Sequence, residues 1–121
     1  MTVENLWERY AATWSLGDDR RQARLDGCVT PDVTYCDPNS VIDGHQALSE
    51  YMAAFQASVP GSSFEIRAVL AHHDRSLARW VLRGPDQETL QTGTSFASHA
   101  GDGRLQSITG FFDSPGDGGS Q

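Results

Sequence analysis

The hydrophobic period of this chain turns lastingly to two after Pro60-Gly61, and that change restricts the folds open to it. Before it, apolar residues recur mainly at helical spacing, with one short strand between helices; after it, they alternate. Val3, Leu6, Trp7, Tyr10, Ala11 and Trp14 follow the i, i+3, i+4, i+7 pattern of a first helix, with Tyr10 mid-stripe and facing inward. Gly17 ends that helix. Asp18 or Asp19 is placed to cap a second, running to about Cys28, whose Arg20, Arg21 and Arg24 read as a solvated face. Pro31-Asp32 interrupts the chain before a short strand, Val33 to Cys36, which Asp37-Pro38 closes. Asp43-Gly44 then opens a third helix carrying Leu48, Tyr51, Met52 and Phe55 on one face.

From Phe64 onward the period is two. Phe64, Ile66, Ala68, Leu70 and His72 alternate with Glu65, Arg67, Val69, Ala71 and His73. After a turn at Asp74-Arg75, the segment Leu77 to Arg83 puts Ala78, Trp80 and Leu82 on one face and Arg79 and Arg83 on the other. Strands over Thr89 to Ser98 and Arg104 to Phe112 follow, separated by Gly101-Asp102-Gly103. Helices segregated from a contiguous antiparallel run give an α+β domain, and sheet twist would curl the strands around the helices. A chain of 121 residues is expected to form one domain, here residues 1–113. Residues 114–121 have almost no apolar content and are expected to be a disordered tail.

Composition removes several functions. A formal charge of -7 is wrong for phosphate-backbone binding, so nucleic acid is not an expected partner. All nine basic residues are Arg; without a Lys there is neither Schiff-base chemistry nor a phosphate-loop lysine. No run approaches the roughly 20 apolar residues of a membrane span, and the first residues lack a signal-type pattern, so a cytoplasmic protein is expected. His72 and His73 would point to opposite strand faces, and His45 and His99 have no carboxylate at ligand spacing. Neither a metal nor another cofactor is expected. Cys28 and Cys36 read as buried thiols, with spacing alone leaving a disulfide open.

Asp37 is the candidate for chemistry. As a base in an apolar pocket near Trp14, Phe55 and Phe112 it would abstract a proton beside a carbonyl; as an Asp before Pro38 it would close a turn. Tyr10 reads either as the donor that stabilises the resulting enolate or as a core tyrosine. His72, on the expected inward face, either joins Asp37 in a His-carboxylate pair or is solvated at the strand end. Alternation turns Cys36 away from Asp37. Trp7, Trp14, Phe55, Trp80 and Phe96 would stack on a flat hydrophobic ligand or simply fill the core.

Arg9-Tyr10, Gly17-Asp18, Asp37-Pro38, Ile42-Asp43-Gly44, Gly103-Arg104 and Gly110-Phe111-Phe112 recur here in an order that resembles the nuclear transport factor 2-like superfamily. The resemblance is to its ketosteroid isomerase and SnoaL-like polyketide cyclase branches, and runs from about Glu4 to Asp113. It implies a cone-shaped half barrel, with three N-terminal helices packed on a strongly curved, mostly antiparallel sheet around a ligand cavity. It further implies that Asp37 is the proton-abstracting carboxylate and Tyr10 an oxyanion donor, with Thr94 where the isomerases keep a protonated Asp. Thr donates one ordinary hydrogen bond, which weakens the case for steroid isomerisation. The expected substrate is a hydrophobic carbonyl compound held by Trp14, Phe55, Trp80, Thr94, Phe96 and Phe112, with isomerisation, aldol-type cyclisation or dehydration as the reaction. The alternatives are a limonene-type epoxide hydrolase, which would need one of Arg67, Arg79 and Arg83 in the site, and a non-catalytic ligand-binding or dimerisation module of the same fold. A homodimer is expected through an outer sheet face of Leu77, Arg79, Val81, Arg83, Ser95 and Ala97.

Overall fold

A computed structural model describes residues 2–113; the expected tail lies outside the described residues. Three helices come first: α1 (Val3–Thr13), α2 (Asp18–Cys28) and, after two strands, α3 (His45–Ser58). The strands are β1 (Val29–Asp37), β2 (Ser40–Asp43), β3 (Ser63–His72), β4 (Arg75–Arg83), β5 (Thr89–His99) and β6 (Leu105–Phe112). They form one sheet in the order β2-β1-β6-β5-β4-β3, antiparallel throughout except where β1 runs parallel to β6. The α+β class and the mostly antiparallel sheet are as the periodicity indicates. No helix among the described residues is long and apolar enough to cross a membrane.

The Thr2 hydroxyl caps α1 by accepting from the Asn5 amide at 3.0 Å. At the other end, Gln56 of α3 donates to the carbonyls of Trp14 and Leu16, each at 2.8 Å, satisfying acceptors that the helix end leaves open. The same bonds fix α3 against α1. Buried faces of the helices meet the sheet in a core that includes Trp7, Leu25, Val29, Leu48, Met52, Leu105 and Ile108.

Four local readings need correction. Gly17, rather than Asp18 or Asp19, is the N-cap of α2, and both acids lie in its first turn. Arg21 is buried, not solvated: its guanidinium donates to Ser49 Oγ at 2.9 Å, to the Leu16 carbonyl at 2.8 Å and to the Asp18 carboxylate. Filling its donors offsets the cost of burying it, and that pairing is invisible to periodicity. Pro31 does not interrupt β1, because the register against β6 shifts between Val29 and Thr34, and a ladder irregularity tolerates a residue without an N–H. Finally, β2 extends the hairpin beyond Asp37, where only a turn is legible.

Two register features decide which side chains face inward. In β3, Ile66 pairs with Trp80 and Ala68 with Arg79, so Arg67 is an extra, bulged residue. Past that bulge the alternation inverts: Val69 packs against the core and Leu70 and His72 are exposed. In β5, Gly93, Ser95 and Ala97 lie opposite Trp80, Ala78 and Ser76, and therefore share their inward face. Thr94 and Phe96 sit on the outer face, opposite Arg79 and Leu77. The expected outer face thus loses Ser95 and Ala97, and gains Phe96 and its edge-to-face partner Phe111.

Candidate active site

Val33, Tyr35 and Asp37 alternate inward along β1, and Cys36 between them does not line the cavity. Asp37, only 9% exposed, divides its carboxylate between two tasks. Oδ1 accepts from the backbone amides of Asn39 and Ser40 at 2.8 and 3.1 Å, closing the β1–β2 hairpin. Oδ2 accepts from the Tyr35 hydroxyl at 2.6 Å and from the Tyr51 hydroxyl at 2.9 Å. The Tyr51 hydroxyl also lies 3.2 Å from Oδ1, so the turn amides meet one oxygen, Tyr35 the other, and Tyr51 spans both.

Tyr51 reaches Asp37 from α3, and Tyr10 enters the same space from α1. The Tyr10 side chain is buried, and its hydroxyl finds no hydrogen-bond partner among the described residues. An unpaired buried hydroxyl costs about 1–3 kcal/mol, which a ligand acceptor at that point would offset. Burial pushes the Tyr10 hydroxyl well above the ordinary tyrosine range. Tyr35 is pushed up as well, by burial first, then by the repulsion its phenolate would meet from an ionised Tyr10, and by its bond to Asp37. Tyr51 shifts the same way, from burial and then from its hydrogen bond to Asp37. All three phenols are thus held as neutral donors.

These groups line a cavity of about 330 Å³ between the helices and the inward face of the sheet. Apart from Phe96 and Phe111, every aromatic side chain of the chain lines it. Trp14 is the hub, meeting Tyr51, Phe55 and Phe64 edge-to-face with ring centroids 6.0, 5.3 and 5.7 Å away. Trp80 donates to Ser95 Oγ at 3.1 Å, and its ring lies over Gly93. A Cβ at Gly93 would fall 2.3 Å from Trp80 Cζ2, so glycine is what lets the indole form this wall.

The sequence profile of the SnoaL-like domain matches residues 7–108. This chain belongs to the SnoaL-like family. Its structure is similar to that of a candidate isomerase of the SnoaL-like family from Agrobacterium tumefaciens, with a TM-score of 0.86, 24% identity, and coverage of 91% of this chain and 96% of that one. It is also similar to a candidate SnoaL-like polyketide cyclase from Jannaschia sp., with a TM-score of 0.75, 16% identity, and 92% and 84% of the two chains covered. A nuclear transport factor 2-like protein of unknown function from Cytophaga hutchinsonii aligns with a TM-score of 0.71 at 10% identity, over 93% of this chain and 91% of that one. At these identities the likeness establishes the nuclear transport factor 2-like fold. No curated protein matches the sequence.

Within this SnoaL-like domain, Tyr10, Trp14, Asp37, Phe55, Trp80 and Phe112 all line one cavity. Three expected site residues do not. The bulge at Arg67 turns His72 out to solvent, where its Nδ1 lies 3.1 Å from Nδ1 of His73, far from any role beside Asp37. Thr94 and Phe96 are on the outer sheet face, and Ser95 occupies the inward position at that level. Arg67, Arg79 and Arg83 also lie outside the cavity, and Arg83 is paired with Glu65 at 2.8 Å. The acid-Arg-acid constellation of a limonene-type epoxide hydrolase is therefore missing from the cavity lining. Cys28 and Cys36 are both free thiols.

Sequence reasoning missed Tyr35 and Tyr51 as partners of Asp37. Both signals were present: Tyr35 is two residues before Asp37, hence on its strand face, and Tyr51 lies on the apolar stripe of α3.

Proposed function

We propose that this SnoaL-like domain is a cofactor-independent enzyme that transfers a proton on a hydrophobic carbonyl compound, in an isomerisation, aldol-type cyclisation or dehydration. The observation that carries this reading is the convergence of Asp37 Oδ2 and the unpartnered Tyr10 hydroxyl on one aromatic cavity. Asp37 Oδ2 takes the proton from the carbon beside the carbonyl, the C–H electrons form a C=C bond, and the carbonyl π pair moves onto oxygen. Tyr10 donates to that oxygen as its charge grows, and its neutral form is the one required. Tyr35 and Tyr51 hold Oδ2 in place. The proton then returns to another carbon, or a leaving group departs. The names of the Agrobacterium and Jannaschia structures agree with this class of chemistry.

The test is exchange of α-protons for deuterium across a panel of hydrophobic ketones, followed by NMR. The wild type accelerates exchange, and Asp37→Asn lowers the rate at least about 100-fold, the usual worth of a general base. No acceleration by the wild type, or an unchanged rate in Asp37→Asn, overturns the assignment. One observation favours a second reading, a non-catalytic ligand carrier: both oxygens of Asp37 already accept hydrogen bonds from the protein. A carrier would bind the ketones and exchange none of their protons. We also propose that a second copy of the chain covers the outer sheet face around Phe96 and Phe111.

A further inference from the structure

We infer that the ligand of the aromatic cavity carries an alkylammonium or quaternary ammonium group. This deepens the reading above by naming the substrate's chemical class, and depends on that reading only for the reaction performed.

The charge inventory of the cavity points this way. Asp37 is the only charged side chain lining it; none of the nine Arg does, and the chain has no Lys. Among the described residues no cation pairs with Asp37. Its partners are two phenols and two backbone amides, whose dipoles stabilise the carboxylate but leave its net charge in place. A buried charge without a counterion is costly, and a ligand cation would supply the missing one.

The walls act in the same direction. Trp14, Phe55, Phe64, Trp80 and Phe112 present ring systems whose faces are negative, and such surfaces attract alkylated ammonium groups while accepting their methyl groups as apolar surface. The phenols of Tyr10, Tyr35 and Tyr51 add further ring surface. An anionic ligand would meet the Asp37 carboxylate with no Arg or Lys to screen it, and a neutral one would leave that charge uncompensated. The chain's formal charge of -7 also favours the approach of cations.

The test compares choline with 3,3-dimethyl-1-butanol, which has the same shape with carbon in place of the charged nitrogen. All three Trp line the cavity, so intrinsic fluorescence reports occupancy directly. Choline is expected to bind the wild type at least about tenfold more tightly than the alcohol. Asp37→Asn should bring the two affinities close to parity, and Phe112→Leu should weaken choline more than the alcohol. Equal affinities, a preference for the alcohol, or no saturable choline binding at millimolar concentrations overturns the inference, and the wild-type comparison decides even if a variant fails to fold. Selective choline binding without ketone proton exchange would sink the catalytic reading and leave this one standing. Exchange on neutral ketones without choline selectivity would do the reverse.

Discussion

The Tyr35 hydroxyl donates to Asp37 Oδ2 across 2.6 Å, from two residues upstream on the same face of β1. The bond joins a phenol that burial keeps protonated to a carboxylate that needs a donor, and each group's state suits the other. Tyr51 completes the arrangement from α3, so the site's geometry depends on helix and sheet being packed together.

Stability should therefore fall in alkali. Tyr10, Tyr35 and Tyr51 are the chain's only tyrosines, and all three have folded-state pKa values above the ordinary range. The unfolded chain loses these protons near pH 10 while the folded one keeps them, so their contribution is complete below about pH 10 and declines as pH rises further. Each fully retained proton steepens the decline by about 1.4 kcal/mol per pH unit, with the less buried Tyr51 contributing least. Tyrosinate absorbance should appear together with loss of circular dichroism. A tyrosinate signal near pH 10 from a still-folded protein would show the phenols open to solvent.

Tyr10→Phe should separate function from packing. The hydroxyl has no partner among the described residues, so removing it should raise stability by about 1–3 kcal/mol, the cost of burying it unpaired. If Tyr10 is the oxyanion donor, ketone proton exchange should fall about 100-fold. Urea unfolding and the exchange assay on the same preparation decide; undiminished exchange would make Tyr10 a core residue only.

The fold was legible because two periodicities, each several residues long, survive local irregularity. The lining of the candidate site was legible where its residues sit on uninterrupted segments: Tyr10 and Trp14 lie along one helical stripe, and Asp37 and Phe112 at strand ends. It was not legible at His72, because one inserted residue, Arg67, reverses every side chain after it and nothing in the alternation marks the insertion. Thr94 and Phe96 fail differently: β5 is a run of small and polar residues, Gly93, Thr94, Ser95 and Ala97, whose facing only the pairing with β4 decides. Arg21 escaped because, although Leu16 and Asp18 are near it in sequence, its burial and its bond to Ser49 arise only when α2 meets α3.

Arg21→Met should destabilise the domain by about 2–3 kcal/mol, since it keeps the bulk of the side chain and removes the donors to Ser49, Leu16 and Asp18. Ser49 is buried and would be left without that partner. A shift of less than about 0.5 kcal/mol in the unfolding free energy would show the network to be incidental.

Gly93→Ala should disturb the cavity wall. Its new methyl would meet Trp80 Cζ2 at 2.3 Å and the Phe111 carbonyl at 2.4 Å, and the latter is backbone that cannot swing aside. A cost of about 1–3 kcal/mol is expected, with a displaced Trp80 indole that loses its bond to Ser95 Oγ and shifts the protein's fluorescence. Wild-type stability and emission in this variant would mean that the sheet yields easily at β5.

Self-association supplies the last prediction. Phe96 and Phe111 are 44% and 57% exposed, stand edge-to-face on the outer sheet surface, and are the only aromatic residues that do not line the cavity. Rings placed there gain nothing from the monomer's core, and a neighbouring copy would remove them from water. Sedimentation at micromolar concentration should give a dimer for the wild type. Phe111→Glu, which puts a charge in the middle of that contact, should give a monomer whose ketone exchange and choline affinity are unchanged, because the substitution faces away from the cavity. A clean wild-type monomer at that concentration would count against this interface.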